Sequence, residues 1–142
     1  ALIAIERETG TRGIQDTGTA LNSEVTTELL VTIFYPGSPL HDGGVIISED
    51  RIAAAGCVFP LTQADDLTSD LGTRHRAAIG LTEETDTLVI VVSEETGIIS
   101  IAYNGRLQRG FDEPHLRRML TSFLGRENNG PLSFVFGENP ND

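Results

Sequence analysis

Leu88-Val89-Ile90-Val91-Val92 is the strongest strand signal in the chain. An unbroken apolar, β-branched run with no polar alternation describes a strand buried on both faces, as in a sheet that carries helices on either side. Just downstream, Glu94-Glu95-Thr96-Gly97 reads as a turn, and Ile98 to Tyr103 returns as another strand before an Asn104-Gly105 turn. At the start of the chain, Leu2 to Ile5 is also continuously apolar and predicts a second central strand. Gly44-Val45-Ile46-Ile47 and Ile52 to Phe59 predict two strands joined at Glu49-Asp50-Arg51, a hairpin signal. The small residues Ala53 to Gly56 leave room for something to lie close to the backbone.

Helical patterns alternate with these strands. Asn22 or Ser23 is expected to cap a helix running to about Phe34, with Val25, Leu29, Leu30, Ile33 and Phe34 on one face and Pro36-Gly37 as its stop. Thr73 is a natural N-cap for a helix through Arg74-His75-Arg76-Ala77-Ala78-Ile79. A final helix over about Asp112 to Leu124 places Leu116, Met119, Leu120, Phe123 and Leu124 on its core face. Arg7 to Thr19 reads as polar and Gly-rich, and Gln63 to Asp70 as an acidic loop. The expectation is a single α/β domain, a mixed central β-sheet flanked by helices, over residues 1–125. Residues 126–142 are expected to form a flexible tail or a short added strand around Leu132 to Phe136.

Composition narrows the function. With 142 residues, 39% of them hydrophobic, the chain supports one core. Its net charge of -11, from 10 Lys+Arg against 21 Asp+Glu, argues against a nucleic-acid polymer as partner, so any phosphate site must be local. Cys57 is the only cysteine, which excludes an intramolecular disulfide and a thiolate metal cluster and fits a reducing compartment; it reads as core filler. The longest apolar runs are too short to span a bilayer, and Ala1 to Glu6 lacks the basic region of a signal peptide. The abrupt hydrophobic start suggests a domain cut from something longer.

Two clusters carry chemistry. His41-Asp42-Gly43-Gly44 is ordinary turn chemistry before a strand, but Asp42 is also able to hold a divalent cation or take a proton from a hydroxyl. His41 is a candidate second ligand, and the glycines would let a nucleotide approach the backbone. Gly72-Thr73-Arg74-His75-Arg76 sets two arginines and a histidine in the first turn of a helix. Cations there oppose the helix dipole and ask for a bound anion, phosphate above all. The bland alternative is a solvated helix start paired with Asp70, Glu83 or Glu84. Ser93-Glu94-Glu95 is an acidic turn that, at the end of a buried strand, is also placed to reach a ligand. His115 reads as solvated. Neither a Walker-type loop nor a Gly-x-Gly-x-x-Gly fingerprint is present.

Together these clusters resemble the diadenylate cyclase domain, from about Ile3 through the last helix. Asp42-Gly43-Gly44 matches the family's Asp-Gly-Ala motif and Arg74-His75-Arg76 its Arg-His-Arg motif. Pro39-Leu40-His41-Asp42-Gly43, Ile52-Ala53-Ala54-Ala55, Leu71 to Ala78 and Val92 to Gly97 look like the membrane-tethered bacterial subgroup. Gly44 stands where the family usually has alanine, and Val58-Phe59 where the subgroup often has Tyr-Leu. The resemblance implies condensation of two ATP molecules to cyclic di-3′,5′-AMP, with Mn²⁺, Mg²⁺ or Co²⁺, across a face-to-face homodimer. It implies catalytic roles for Asp42, Gly43, Arg74, His75 and Arg76, with His41 and Asp42 toward the metal. ATP contacts are implied at Gly44, Cys57, Val58, Phe59, Gly72, Thr73, Arg74, His75, Ser93, Glu94 and Glu95. It also implies transmembrane helices upstream of Ala1 and a cytoplasmic domain. The alternative from a different class is a nucleotide-binding regulatory module without turnover.

Overall fold

The computed structural model describes residues 1–64 and 71–125. The chain runs β1 (Leu2–Ile5), α1 (Arg12–Gln15), β2 (Thr19–Glu24), α2 (Thr27–Phe34), β3 (Gly44–Ser48), β4 (Arg51–Cys57), α3 (Thr73–Glu84), β5 (Leu88–Val92), β6 (Ile99–Tyr103), β7 (Arg106–Phe111) and α4 (Glu113–Leu124). Among the described residues, all of these strands join one sheet in the order β2-β4-β3-β1-β5-β6-β7. Only β1 and β3 pair in parallel; each other neighbouring pair is antiparallel. The expected mixed sheet is therefore present, with β1 at its centre.

Side chains leave the sheet with a period of two, and each face has its own helices. Leu2 and Ala4 of β1, Ile46 of β3, and Val89 and Val91 of β5 share a core with Ala77, Ala78 and Leu81 of α3. On the other face, Ile5, Leu88, Ile90 and Ile101 pack with Met119 and Phe123 of α4, while Val45, Ile52 and Ala55 meet Ile33 of α2. This explains why β5 lacks polar alternation: both of its faces are covered. Glu49 and Asp50 have φ of +53° and +65°, and Asn104 and Gly105 +54° and +78°, so the two hairpins turn through the left-handed region that suits the twist of paired strands.

Several expectations change, and Leu124, expected on the core face of α4, is exposed. The α2 helix is capped by Thr26, whose side chain accepts a bond from the Leu29 N–H, not by Asn22 or Ser23. Those residues belong to β2, where the Arg51 guanidinium donates to both the side chain and the backbone carbonyl of Asn22 at 2.8 and 2.7 Å. Val25 is accordingly exposed rather than on the core face. The polar Arg7 to Thr19 stretch contains α1, and Arg106–Phe111 adds the edge strand β7 before α4. β4 ends at Cys57, so Val58 and Phe59 lie beyond the sheet. The expected tail at 126–142, and residues 65–70 of the acidic loop, lie outside the described residues.

Candidate active site

Antiparallel pairing brings the start of β3, the end of β4 and the end of β5 to one end of the sheet, with Gly44 opposite Cys57 and Leu2 opposite Val91. The start of α3 faces the same end. Residues about thirty positions apart thereby meet: Arg74 Nη2 lies 3.9 Å from Asp42 Oδ1 and 3.0 Å from Glu94 Oε1. Arg74 thus bridges two of the sequence-derived clusters. The Asp42 side chain is 83% exposed, so its oxygens remain open to a ligand.

His41 stands beside it. Its Nδ1 is 2.8 Å from the Ser38 carbonyl, which can only accept, so Nδ1 carries the proton and Nε2 faces Asp42 Oδ1 at 3.4 Å. Nε2 therefore presents either a proton to the carboxylate or a lone pair to a shared cation. This donor pair fits a hard divalent ion that takes one or two protein ligands and completes its shell from substrate phosphates. Among the described residues no group of three or more His, Cys, Asp or Glu side chains could hold a metal.

The helix start differs from expectation in one respect. Gly72, not Thr73, is the N-cap of α3, and Thr73 is the first helical residue. Gly72 adopts the extended cap conformation without a side chain, so no side-chain bond caps α3, whereas Thr26 caps α2 and Asp112 caps α4. A helix start that Gly72 caps without a side chain, with Arg74, His75 and Arg76 in its first turn, suits an anion. His75 Nδ1 reaches within 4.0 Å of the point where a Gly72 methyl would lie. Arg76 ties the turn to the preceding loop through its carbonyl, which accepts the Thr62 N–H at 3.1 Å. Glu83, one of the residues considered as a partner for this turn, instead accepts from the Thr62 hydroxyl.

The glycines and β4 are shaped by the chain itself. A methyl on Gly43, whose φ is +136°, would lie 2.8 Å from the Gly56 carbonyl carbon, and one on Gly44 would lie 2.3 Å from Phe59 Cζ. The side-chain space beside both glycines is thus filled by protein. Likewise, the chain's own Gly18 lies close to β4, where a methyl on it would lie 2.4 Å from the Ala55 carbonyl. The two departures noted in the sequence, Gly44 and Phe59, touch one another.

Of the β4-end residues, Cys57 and Phe59 are buried and turned into the core, and burial pushes the Cys57 thiol up to about 11. Val58 is the exposed one, and its N–H is held by the Thr17 hydroxyl at 2.8 Å. Thr17 and Gly18 shape this end of β4 and were not among the predicted site residues; their only signal was the short Thr17-Gly18-Thr19 run. Ser93 accepts the Thr96 N–H and so shapes its turn, Glu95 is exposed, and His115 pairs with Asp112 at 2.7 Å.

The sequence matches the family described as DAC, DisA bacterial checkpoint controller nucleotide-binding, over residues 1–107. The chain belongs to this family. It is 52% identical over 120 residues to the cyclic di-AMP synthase CdaA of Bacillus subtilis, covering 84% of this chain and 44% of that protein. It is 48% identical over 124 residues to a diadenylate cyclase of Listeria monocytogenes, covering 87% and 45%. The crystal structure of a double mutant of DacA from Staphylococcus aureus superposes with a TM-score of 0.84 at 43% identity, covering 86% of this chain and 81% of that one. The DAC fold expected from the sequence is thus shared. The chain spans a little under half the length of these curated relatives. Among the described residues no helix is long and apolar enough to cross a membrane.

Proposed function

We propose that residues 1–125 form the catalytic domain of a diadenylate cyclase, which joins two ATP molecules into cyclic di-3′,5′-AMP and releases two pyrophosphates. The observation that carries this reading is the approach of Arg74 to both Asp42 and Glu94, which sets an anion-binding helix start beside an open carboxylate. Relatives at about half identity, one named a cyclic di-AMP synthase and one a diadenylate cyclase, support it.

Each bond requires a ribose 3′-hydroxyl to lose its proton and attack an α-phosphorus in line, while the α,β-phosphoanhydride bond breaks and pyrophosphate leaves. Asp42 orients the hydroxyl and draws its proton. Arg74, His75, Arg76, the Thr73 hydroxyl and the first-turn amides of α3 hold the triphosphate and the charge that builds on it. A divalent cation, Mn²⁺, Mg²⁺ or Co²⁺, held by Asp42 with His41 would lower the hydroxyl pKa and offset phosphate charge. Gly44, Val58 and the backbone at Cys57, Phe59 and Gly72 border the nucleotide, with Ser93, Glu94 and Glu95 at its far side. Because both bonds of the product are equivalent, two ATP-loaded copies facing each other each supply half of the ring, and the working unit is a homodimer. The relatives' greater length, and a 49% identical Bacillus cereus structure described as a hypothetical membrane spanning protein, support a cytoplasmic domain on a membrane-anchored bacterial protein.

The test is incubation with ATP and Mn²⁺ or Mg²⁺, with cyclic di-AMP read by mass over a dilution series. Product should form, with specific activity rising with protein concentration. ATP bound without product would instead identify a regulatory module, and specific activity flat across the dimerisation range would remove the face-to-face arrangement.

A further inference from the structure

Gly44 opens β3 two residues after Asp42, and Phe59 leaves the end of β4 opposite it. A methyl on Gly44 would lie 2.3, 2.6 and 2.8 Å from Cζ, Cε1 and Cε2 of the Phe59 ring. Ordinary carbon contacts begin near 3.5 Å, so such a methyl would drive the ring or the loop by about 1 Å. The ring has little room to yield. Phe59 is 4% exposed and belongs to the core cluster of Leu2, Ala4, Ala77 and Ala78. Ala77 and Ala78 follow Arg76 directly on α3, so the core cluster that holds this ring also holds the helix that carries the arginines. On its other side the same loop is pinned where Gly43 meets the Gly56 backbone.

We infer that Phe59 is a positioning residue for the reaction: its ring, seated on Gly44, sets the separation between Asp42 and the Arg74–Arg76 helix turn. The inference rests on the cyclase reading. In-line displacement loses rate steeply when reacting groups shift by about 1 Å, so a change in this contact acts on the chemical step even though neither residue exchanges a proton.

The experiment compares four variants, with ATP and Mn²⁺ as the probe, by initial rates and thermal melting. Gly44→Ala should lower kcat at least tenfold while the KM for ATP stays within about threefold. Phe59→Leu should lower kcat less, and Gly44→Ala with Phe59→Leu, in which the shorter side chain clears the methyl, should recover most of the loss. Phe123→Leu trims an equally buried ring in the α4 core and should lower the melting temperature with kcat unchanged. Full kcat in Gly44→Ala, no recovery in the double variant, or an equal kcat loss in Phe123→Leu would overturn the inference. Wild-type protein that makes no product overturns the cyclase reading instead; the contact is then read from melting, where Gly44→Ala alone must be less stable than the double variant.

Discussion

The two ends of the central sheet treat their carboxylates in opposite ways. At the end away from the site, Glu6 is saturated: it accepts the Thr11 N–H at 3.1 Å, the Thr11 hydroxyl, Gln15 Nε2 at 3.3 Å and the Ser48 hydroxyl at 3.1 Å. Asp86, beside it, takes the Glu8 and Thr9 N–H groups at 3.1 and 2.9 Å. At the site end, Asp42 has His41 at 3.4 Å and Arg74 at 3.9 Å beside it among the described residues, and is mostly exposed. Carboxylates that hold the fold spend their lone pairs on neutral donors of the same chain; Asp42 keeps its own for something else.

Substitutions sharpen this contrast, and the largest effect is expected at the open end. Asp42→Asn should reduce cyclic di-AMP formation at least a hundredfold, about 2.7 kcal/mol of barrier, while the melting temperature moves by no more than about 2 °C. A large melting shift would place Asp42 with the saturated carboxylates. Glu6→Ala should do the reverse. It strands the nearly fully buried Thr11 and its neighbours without an acceptor and should cost about 2 kcal/mol in denaturant unfolding, with kcat unchanged.

Arg74→Ala comes next, with ATP affinity in calorimetry falling about tenfold, or about 1.4 kcal/mol, and little change in melting. Removing a cation from a helix N-terminus does not harm the helix, so a stability loss without an affinity loss would mark the turn as structural. The smallest effect belongs to Asp86→Asn, about 1 kcal/mol, because the group is only partly shielded. Burial opposes the charge on Asp86, yet the Thr9 and Glu8 N–H groups prevail and hold its carboxyl below the usual range. A lowered folded pKa means that its stabilisation is present above the unfolded value near 4 and is lost as pH falls through the folded value. The gap between wild type and Asp86→Asn, measured by urea unfolding, should therefore close below about pH 4.

How much of this was legible in the sequence depended on where a residue sits in the sheet. β1, β3, β5 and β6 were readable because burial writes hydrophobicity into the chain, and the β3–β4 hairpin and the Asn104-Gly105 turn because their turn chemistry is local. β2 and β7 are edge strands with mostly exposed residues, so Thr19–Glu24 and Arg106–Phe111 carry no period that a sequence reading can find. The same absence misled the capping of α2: Asn22 and Ser23 look like caps locally, but β4 claimed them, Ser23 by pairing with Ile52 and Asn22 through the Arg51 guanidinium.

The candidate site divides in the same way. Residue type and spacing picked out the Arg74-His75-Arg76 turn, since a basic helix start is a chemical statement that needs no neighbours, whereas Asp42 read as ordinary turn chemistry until the family resemblance gave it a role. It took the folded chain to bring Arg74 to both Asp42 and Glu94, to make Gly72 rather than Thr73 the N-cap of α3, and to turn Phe59 inward onto Gly44 while Val58 stays exposed. Composition and periodicity record whether a side chain is buried, but not which backbone or ring fills the space beside a glycine, because that depends on strands brought together from distant parts of the chain.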